Sequence, residues 1–86
     1  MPSFQESKSA VLAAVRSGIR ANLTEQAIKA LVRRQCGRLG ATAQELVVKR
    51  IGHSVLVSVS VVYESCAMHS VSVELTPTRY RIRRAA

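Results

Sequence analysis

Apolar residues recur along this chain with two different periods. Phe4, Val11, Leu12, Val15 and Ile19 fall at helical spacing, and Gln5, Lys8, Ser9 and Arg16 fill the opposite face. Ser3-Phe4-Gln5-Glu6 has the spacing of a capping box. In that device the serine hydroxyl accepts from the third helical N–H, and the carboxylate reaches back to the cap's own N–H. The pattern predicts a first helix from residue 4 to about residue 18, with Gly18 weakening its far end. A second start signal follows at once. Thr24 is the cap, Leu23 and Ile28 form a hydrophobic staple, and Ile28, Leu31, Val32 and Leu39 make the apolar stripe, with Cys36 at its margin. A connection this short predicts an antiparallel helical hairpin.

Residues 40 to 51 carry two readings. Thr42-Ala43-Gln44-Glu45 repeats the capping-box spacing, and Leu46, Val47 and Ile51 fit one helical face, which favours a short third helix. Val47-Val48-Lys49-Arg50-Ile51 also has the β-branched content of a strand. From Ser54 the period is two. Val55, Val57, Val59, Val61 and Tyr63 alternate with Ser54, Leu56, Ser58, Ser60 and Val62, and after a turn through Glu64, Ser65 and Cys66 the alternation resumes. There Val71, Val73 and Leu75 oppose Met68, Ser70, Ser72, Glu74 and Thr76. Thr76-Pro77-Thr78 breaks the run, and Tyr80 and Ile82 alternate with Arg79, Arg81 and Arg83 in a short last strand. The expected fold is α+β: an N-terminal helical hairpin packed on a C-terminal three-stranded antiparallel sheet. With no linker and no repeat, residues 1–86 read as one domain.

Charge changes this picture most. Thirteen Lys and Arg stand against five acids, for a net charge of +8. Arginine dominates and aspartate is absent, which matters because the guanidinium fork matches phosphate and carboxylate geometry. The distribution is uneven. Residues 1 to 15 are neutral, residues 16 to 50 hold eight basic groups against Glu25 and Glu45, and residues 51 to 78 contain no Lys or Arg. The last eight residues add Arg79, Arg81, Arg83 and Arg84. On the second helix, Lys29 and Arg33 flank the apolar stripe on one side, and Arg34 and Arg38 flank it on the other, with no acidic neighbour on the helix. An unneutralised basic surface of this kind suits a nucleic-acid backbone.

Other chemistry finds less support. The glutamates are isolated and no serine or cysteine sits in a nucleophile motif, so no enzymatic role and no small-molecule substrate are expected. Cys66-Ala67-Met68-His69 has metal-like spacing, but Cys36 and His53 supply no second close pair, so neither a metal nor another cofactor is expected. His69 falls on the apolar parity of its strand and reads as a half-buried, hydrogen-bonded histidine. No apolar run reaches the length of about 18 residues that crosses a bilayer, and no leader pattern is visible at the N-terminus. Cys36 and Cys66 are accordingly expected to be buried, reduced thiols in a cytoplasmic protein.

Gly37-Arg38-Leu39-Gly40 has the G-x-x-G form. Placed between helices, it resembles the loop with which KH domains clamp a nucleic-acid backbone. The resemblance covers these four residues. It implies that Gly37, Arg38 and Gly40 approach the backbone and that residues 41 to 51 form the following helix. The chain departs from that family in having a helix where a strand would precede the first core helix. A left-handed helix cap at Gly37 or Gly40 explains the same residues without a ligand.

The hairpin supplies the other distinctive surface. Leu56, Ser58, Ser60, Val62, Ser70 and Ser72 make a small-residue patch with none of the charges that normally decorate a solvated sheet. Such a face is built to be covered, and a two-fold homodimer is the simplest cover for so short a chain. The reading is therefore a non-enzymatic binding module. It contacts nucleic acid or a ribonucleoprotein through Lys29, Arg33, Arg34, Arg38, Arg79, Arg81, Arg83 and Arg84, with no membrane association. The alternative is a small phage or mobile-element inhibitor or adaptor, anti-CRISPR-like, whose arginines dock on an acidic protein.

Overall fold

A computed structural model describes residues 3–77 of the chain. Helices α1 (Phe4–Arg20) and α2 (Glu25–Arg38) precede strands β1 (Ala41–Ile51), β2 (Ser54–Tyr63) and β3 (Met68–Leu75). Both helices start at the expected caps. Glu6 N donates to Ser3 Oγ and Ser3 N to Glu6 Oε1, while Ala27 N donates to Thr24 Oγ1. The first helix runs past Gly18 because Gly18 is a packing residue. A Cβ there would sit 2.5 Å from Ile28 Cγ1, so only glycine lets α1 approach α2 this closely. The helix then closes through a Schellman motif: Leu23 N donates to Gly18 O, Asn22 N to Ile19 O, and Asn22 takes φ 53°.

The expected short third helix is absent. Residues 41–51 form β1, the first strand of an antiparallel sheet ordered β1-β2-β3. The reason lies in the register. Gln44 pairs with Ser60 and Val47 with Ser58, leaving Glu45 and Leu46 opposite Val59 in a bulge where Glu45 takes φ 51°. One extra residue reverses the parity of the strand. Ala41 and Ala43 share a face before the bulge, and Leu46 and Val48 share it afterwards. The helical reading grouped Leu46 with Val47 and Ile51, which the strand places on opposite faces. The last strand expected around Arg79, Arg81 and Arg83 lies outside the described residues; among the described residues β1 joins β2 and β3 in the sheet.

Both helices cover the same face of the sheet, α1 over β3 and β2, and α2 over β1. The core between the layers joins Val11, Ala14 and Val15 of α1 and Ile28, Val32 and Cys36 of α2 to Val48, Val55, Val57, Val59, Val61, Tyr63, Val71 and Val73 of the sheet. Most of these are valines, which suit a pleated and half-buried surface. Period two on the strands and 3.6 on the helices thus meet in one apolar layer. No helix among the described residues is long and apolar enough to cross a membrane.

Candidate functional site

The outer side of the helical layer gathers the basic groups. Arg33, Arg34 and Arg38 are exposed and Lys29 is half-buried on α2, where Ile28, Val32 and Cys36 take the inward positions. Arg16 and Arg20 of α1 are also exposed, on the side away from Val11, Ala14, Val15 and Gly18. The two helices therefore present Arg16, Arg20, Arg33, Arg34 and Arg38 on one layer. Among the described residues no carboxylate is paired with any of them. Arg16 and Arg20 were not singled out as binding residues in the sequence. Their helical position opposite the apolar stripe was the signal that could have found them. Arg79, Arg81, Arg83 and Arg84 lie outside the described residues.

The acids and the remaining arginine near this layer have other tasks. Glu6 closes the α1 cap. Glu25 Oε2 accepts from the backbone N–H of Arg50 at 2.8 Å, and Arg50 Nη2 donates to Leu23 O at 2.6 Å. Arg50 thus ties the end of β1 to the turn between the helices. Partners 25 and 27 residues apart could not be read from local pattern.

The G-x-x-G segment ends α2. Arg38 is the last helical residue, Leu39 caps it, and Gly40 takes φ 72°, the left-handed conformation that favours glycine. The strand β1 begins directly afterwards, so the second helix implied by the likeness to KH domains is not there. Gly37 is different. It is exposed within the helix, and a Cβ would meet nothing within 4 Å. Packing gives no reason for a glycine at that position. A shallow depression beside this segment is lined by Gln5, Glu6, Ser9, Ala10 and Leu39, and it opens to solvent.

The opposite surface is the outer face of the sheet. Ser58, Ser70 and Ser72 are exposed there, and Leu56, Ser60 and Val62 are half-buried. Because residues 41–51 are strand, the patch is wider than the hairpin alone and it is not charge-free. Register places Thr42, Gln44, Val47, Lys49 and Ile51 on the same face. Val47 is 45% exposed, Ile51 58% and Met68 58%, so the face offers substantial apolar area to solvent. Lys49 pairs with Leu56, and Leu56 with Glu74, so one row across the sheet reads cation, leucine, carboxylate. The α1 and α2 helices leave this face uncovered.

A serine–histidine contact appears that the sequence did not suggest. Ser7 Oγ lies 2.7 Å from His69 Nδ1 and 2.5 Å from Tyr63 Oη, and it also donates weakly to Ser3 O at 3.4 Å. Phe4 and Tyr63 each pack edge-on against the His69 ring. Ser7 is fully buried, and the partners of its hydroxyl are Ser3 at the cap of α1, Tyr63 of β2 and His69 of β3. Residues more than fifty positions apart meet here, so no local motif could announce them. The group is a polar rivet between the helical layer and the sheet. His69 takes the half-buried, hydrogen-bonded position its parity implies.

The cysteines part company. Cys36 is buried, as expected, and burial pushes its thiol above the ordinary value. Cys66 is exposed in the β2–β3 turn at φ 70°, which corrects the expectation of two buried thiols. Both are free. Among the described residues no cluster of three or more His, Cys, Asp or Glu could hold a metal ion.

Fold and surfaces together define a class: a two-layer α+β protein with a basic helical side and a nearly neutral sheet side. No protein-family model, curated protein or solved structure matches the chain.

Proposed function

We propose that this protein is a non-enzymatic binding module that holds the phosphate backbone of a nucleic acid or ribonucleoprotein on its helical layer. One observation carries the reading: Arg16, Arg20, Arg33, Arg34 and Arg38 are gathered on one exposed layer without carboxylate partners among the described residues. Unpaired like charges on adjacent turns repel one another, and an anionic partner relieves that repulsion. Recognition is backbone-directed, because Phe4 is the one exposed Phe, Tyr or Trp ring among the described residues, and it stands at the start of α1 packed edge-on against His69. Gly37 and Gly40 let a strand approach the end of α2 beside Arg38, and Lys29 extends the basic surface along the same helix. A second copy of the chain is the partner of the sheet face.

Titration of labelled single- and double-stranded DNA and RNA tests the proposal. Binding is expected at about 50 mM salt, with log affinity falling linearly as log salt rises. Arg33→Glu combined with Arg34→Glu should weaken binding by about tenfold or more while circular dichroism stays unchanged. Absence of binding to every oligonucleotide at low salt would overturn the reading. Saturable binding of an acidic protein in its place would favour the inhibitor or adaptor alternative.

A further inference from the structure

The outer face of the sheet carries its own complement. The row Lys49–Leu56–Glu74 runs straight across β1, β2 and β3, with a cation at one edge, a leucine at the centre and a carboxylate at the other edge. A two-fold axis lying in the plane of this face and parallel to β2 exchanges the two edges. It sets Lys49 of each copy against Glu74 of the other and packs Leu56 on its own symmetry mate. An in-plane axis running across the strands instead keeps β1 over β1 and β3 over β3, so it never brings Lys49 onto Glu74, and through this row it would stack like charges. Of these two face-to-face arrangements, only the axis along β2 pairs each charge with its opposite.

We propose that two copies of this chain pack sheet to sheet about an axis parallel to β2, with reciprocal Lys49–Glu74 pairs flanking a Leu56 contact. The proposal rests on the reading of the sheet face as a surface for a second copy, and it specifies the geometry. Two other rows agree with it, and at the bulge Glu45, whose carboxylate accepts from Ser60 Oγ, adds a negative charge that the Lys49–Glu74 row does not balance. Val47–Ser58–Ser72 meets its own reversed image, so the exposed Val47 of each copy lies over Ser72 and not over a charge. Thr42–Val62–Met68 behaves likewise, with Met68 over Thr42 and Val62 on its mate. The serines suit such a contact, since small side chains let two sheets approach to about 10 Å. Three strands spaced about 4.8 Å make a narrow interface, at the small end of those that hold stable dimers. The product is a four-layer α/β/β/α particle. Layers about 10 Å apart keep the two arginine surfaces roughly 30 Å from one another, beyond the Debye length at physiological salt. Such a dimer offers an anionic backbone to each side.

Sedimentation velocity on the full chain across a dilution series provides the test. The wild type should be a dimer at about 0.1 mM and dissociate on dilution through the micromolar range, as a small interface requires. Lys49→Glu and Glu74→Lys should each raise the dissociation constant by about tenfold or more, by bringing like charges together. Lys49→Glu combined with Glu74→Lys should restore it to within a few-fold. Circular dichroism verifies the fold of each variant. A monomeric wild type would overturn the proposal. So would single reversals that leave the dimer intact, which would move the contact to a strand edge or the helices, and so would a double reversal that fails to rescue. Arg33→Glu with Arg34→Glu should leave the dimer unchanged, which separates this result from the fate of the nucleic-acid reading.

Discussion

The two outer surfaces of this protein arise from the same alternation of inward and outward positions, yet they are chemical opposites. On the helices, outward positions carry Arg16, Arg20, Arg33, Arg34 and Arg38, and the nearby acids are engaged in a cap and in the Arg50 clamp. On the sheet, outward positions carry serines, other small polar and aliphatic groups, the row of Lys49 and Glu74, and at the bulge the Glu45 carboxylate beside Ser60. The helical surface has a surplus of one sign and needs something else to neutralise it. The sheet surface carries charges of both signs, and in the proposed dimer Lys49 of each copy meets Glu74 of the other. A chain can segregate its charge in this way only if the layer between the two faces holds them apart.

The seam between the helices offers the strongest way to break that separation. Ile28 is fully buried against Gly18, so Ile28→Ala should cost about 2–5 kcal/mol, read by chemical denaturation. The loss should appear in oligonucleotide binding and in dimerisation together, since both faces depend on the same core. A smaller effect is expected at the rivet. Ser7→Ala leaves the Tyr63 hydroxyl and His69 Nδ1 without their shared partner, at a cost of about 1–3 kcal/mol. Double-mutant cycles with Tyr63→Phe should show strong coupling, because the phenylalanine no longer strands a buried hydroxyl.

The smallest change sharpens the comparison without breaking it. Gly37→Ala should stabilise the protein by up to about 1 kcal/mol, because an exposed helical glycine with open space around it gains from a methyl group. The same substitution should weaken oligonucleotide binding if a phosphate backbone passes close to the end of α2, and it should leave dimerisation untouched. A variant that is more stable and binds equally well would remove Gly37 from the binding surface.

Much of this organisation was legible locally. The capping box at Ser3, the cap at Thr24 and the period-two runs of β2 and β3 each depend on neighbours within a few residues. The side of α2 that carries arginines follows from helical periodicity alone. The strand β1 was not legible as a strand. Its bulge at Glu45 and Leu46 breaks the alternation, and only pairing with Ser58 and Ser60 in the folded sheet shows that the break is an inserted residue.

What the sequence by itself determined is therefore the helical hairpin, the β2–β3 hairpin and the exclusion of positive charge from the latter. These follow from periodicity and capping, which act over one or two turns. Tertiary structure alone decided that residues 41–51 join the sheet and carry Lys49 into line with Glu74. It also decided that Arg50 is a clamp and that Ser7 meets Tyr63 and His69. Each of these depends on the register of strands or on contacts between residues far apart in the chain. Such contacts are chosen by burying a common core, and no local segment carries the information to choose them.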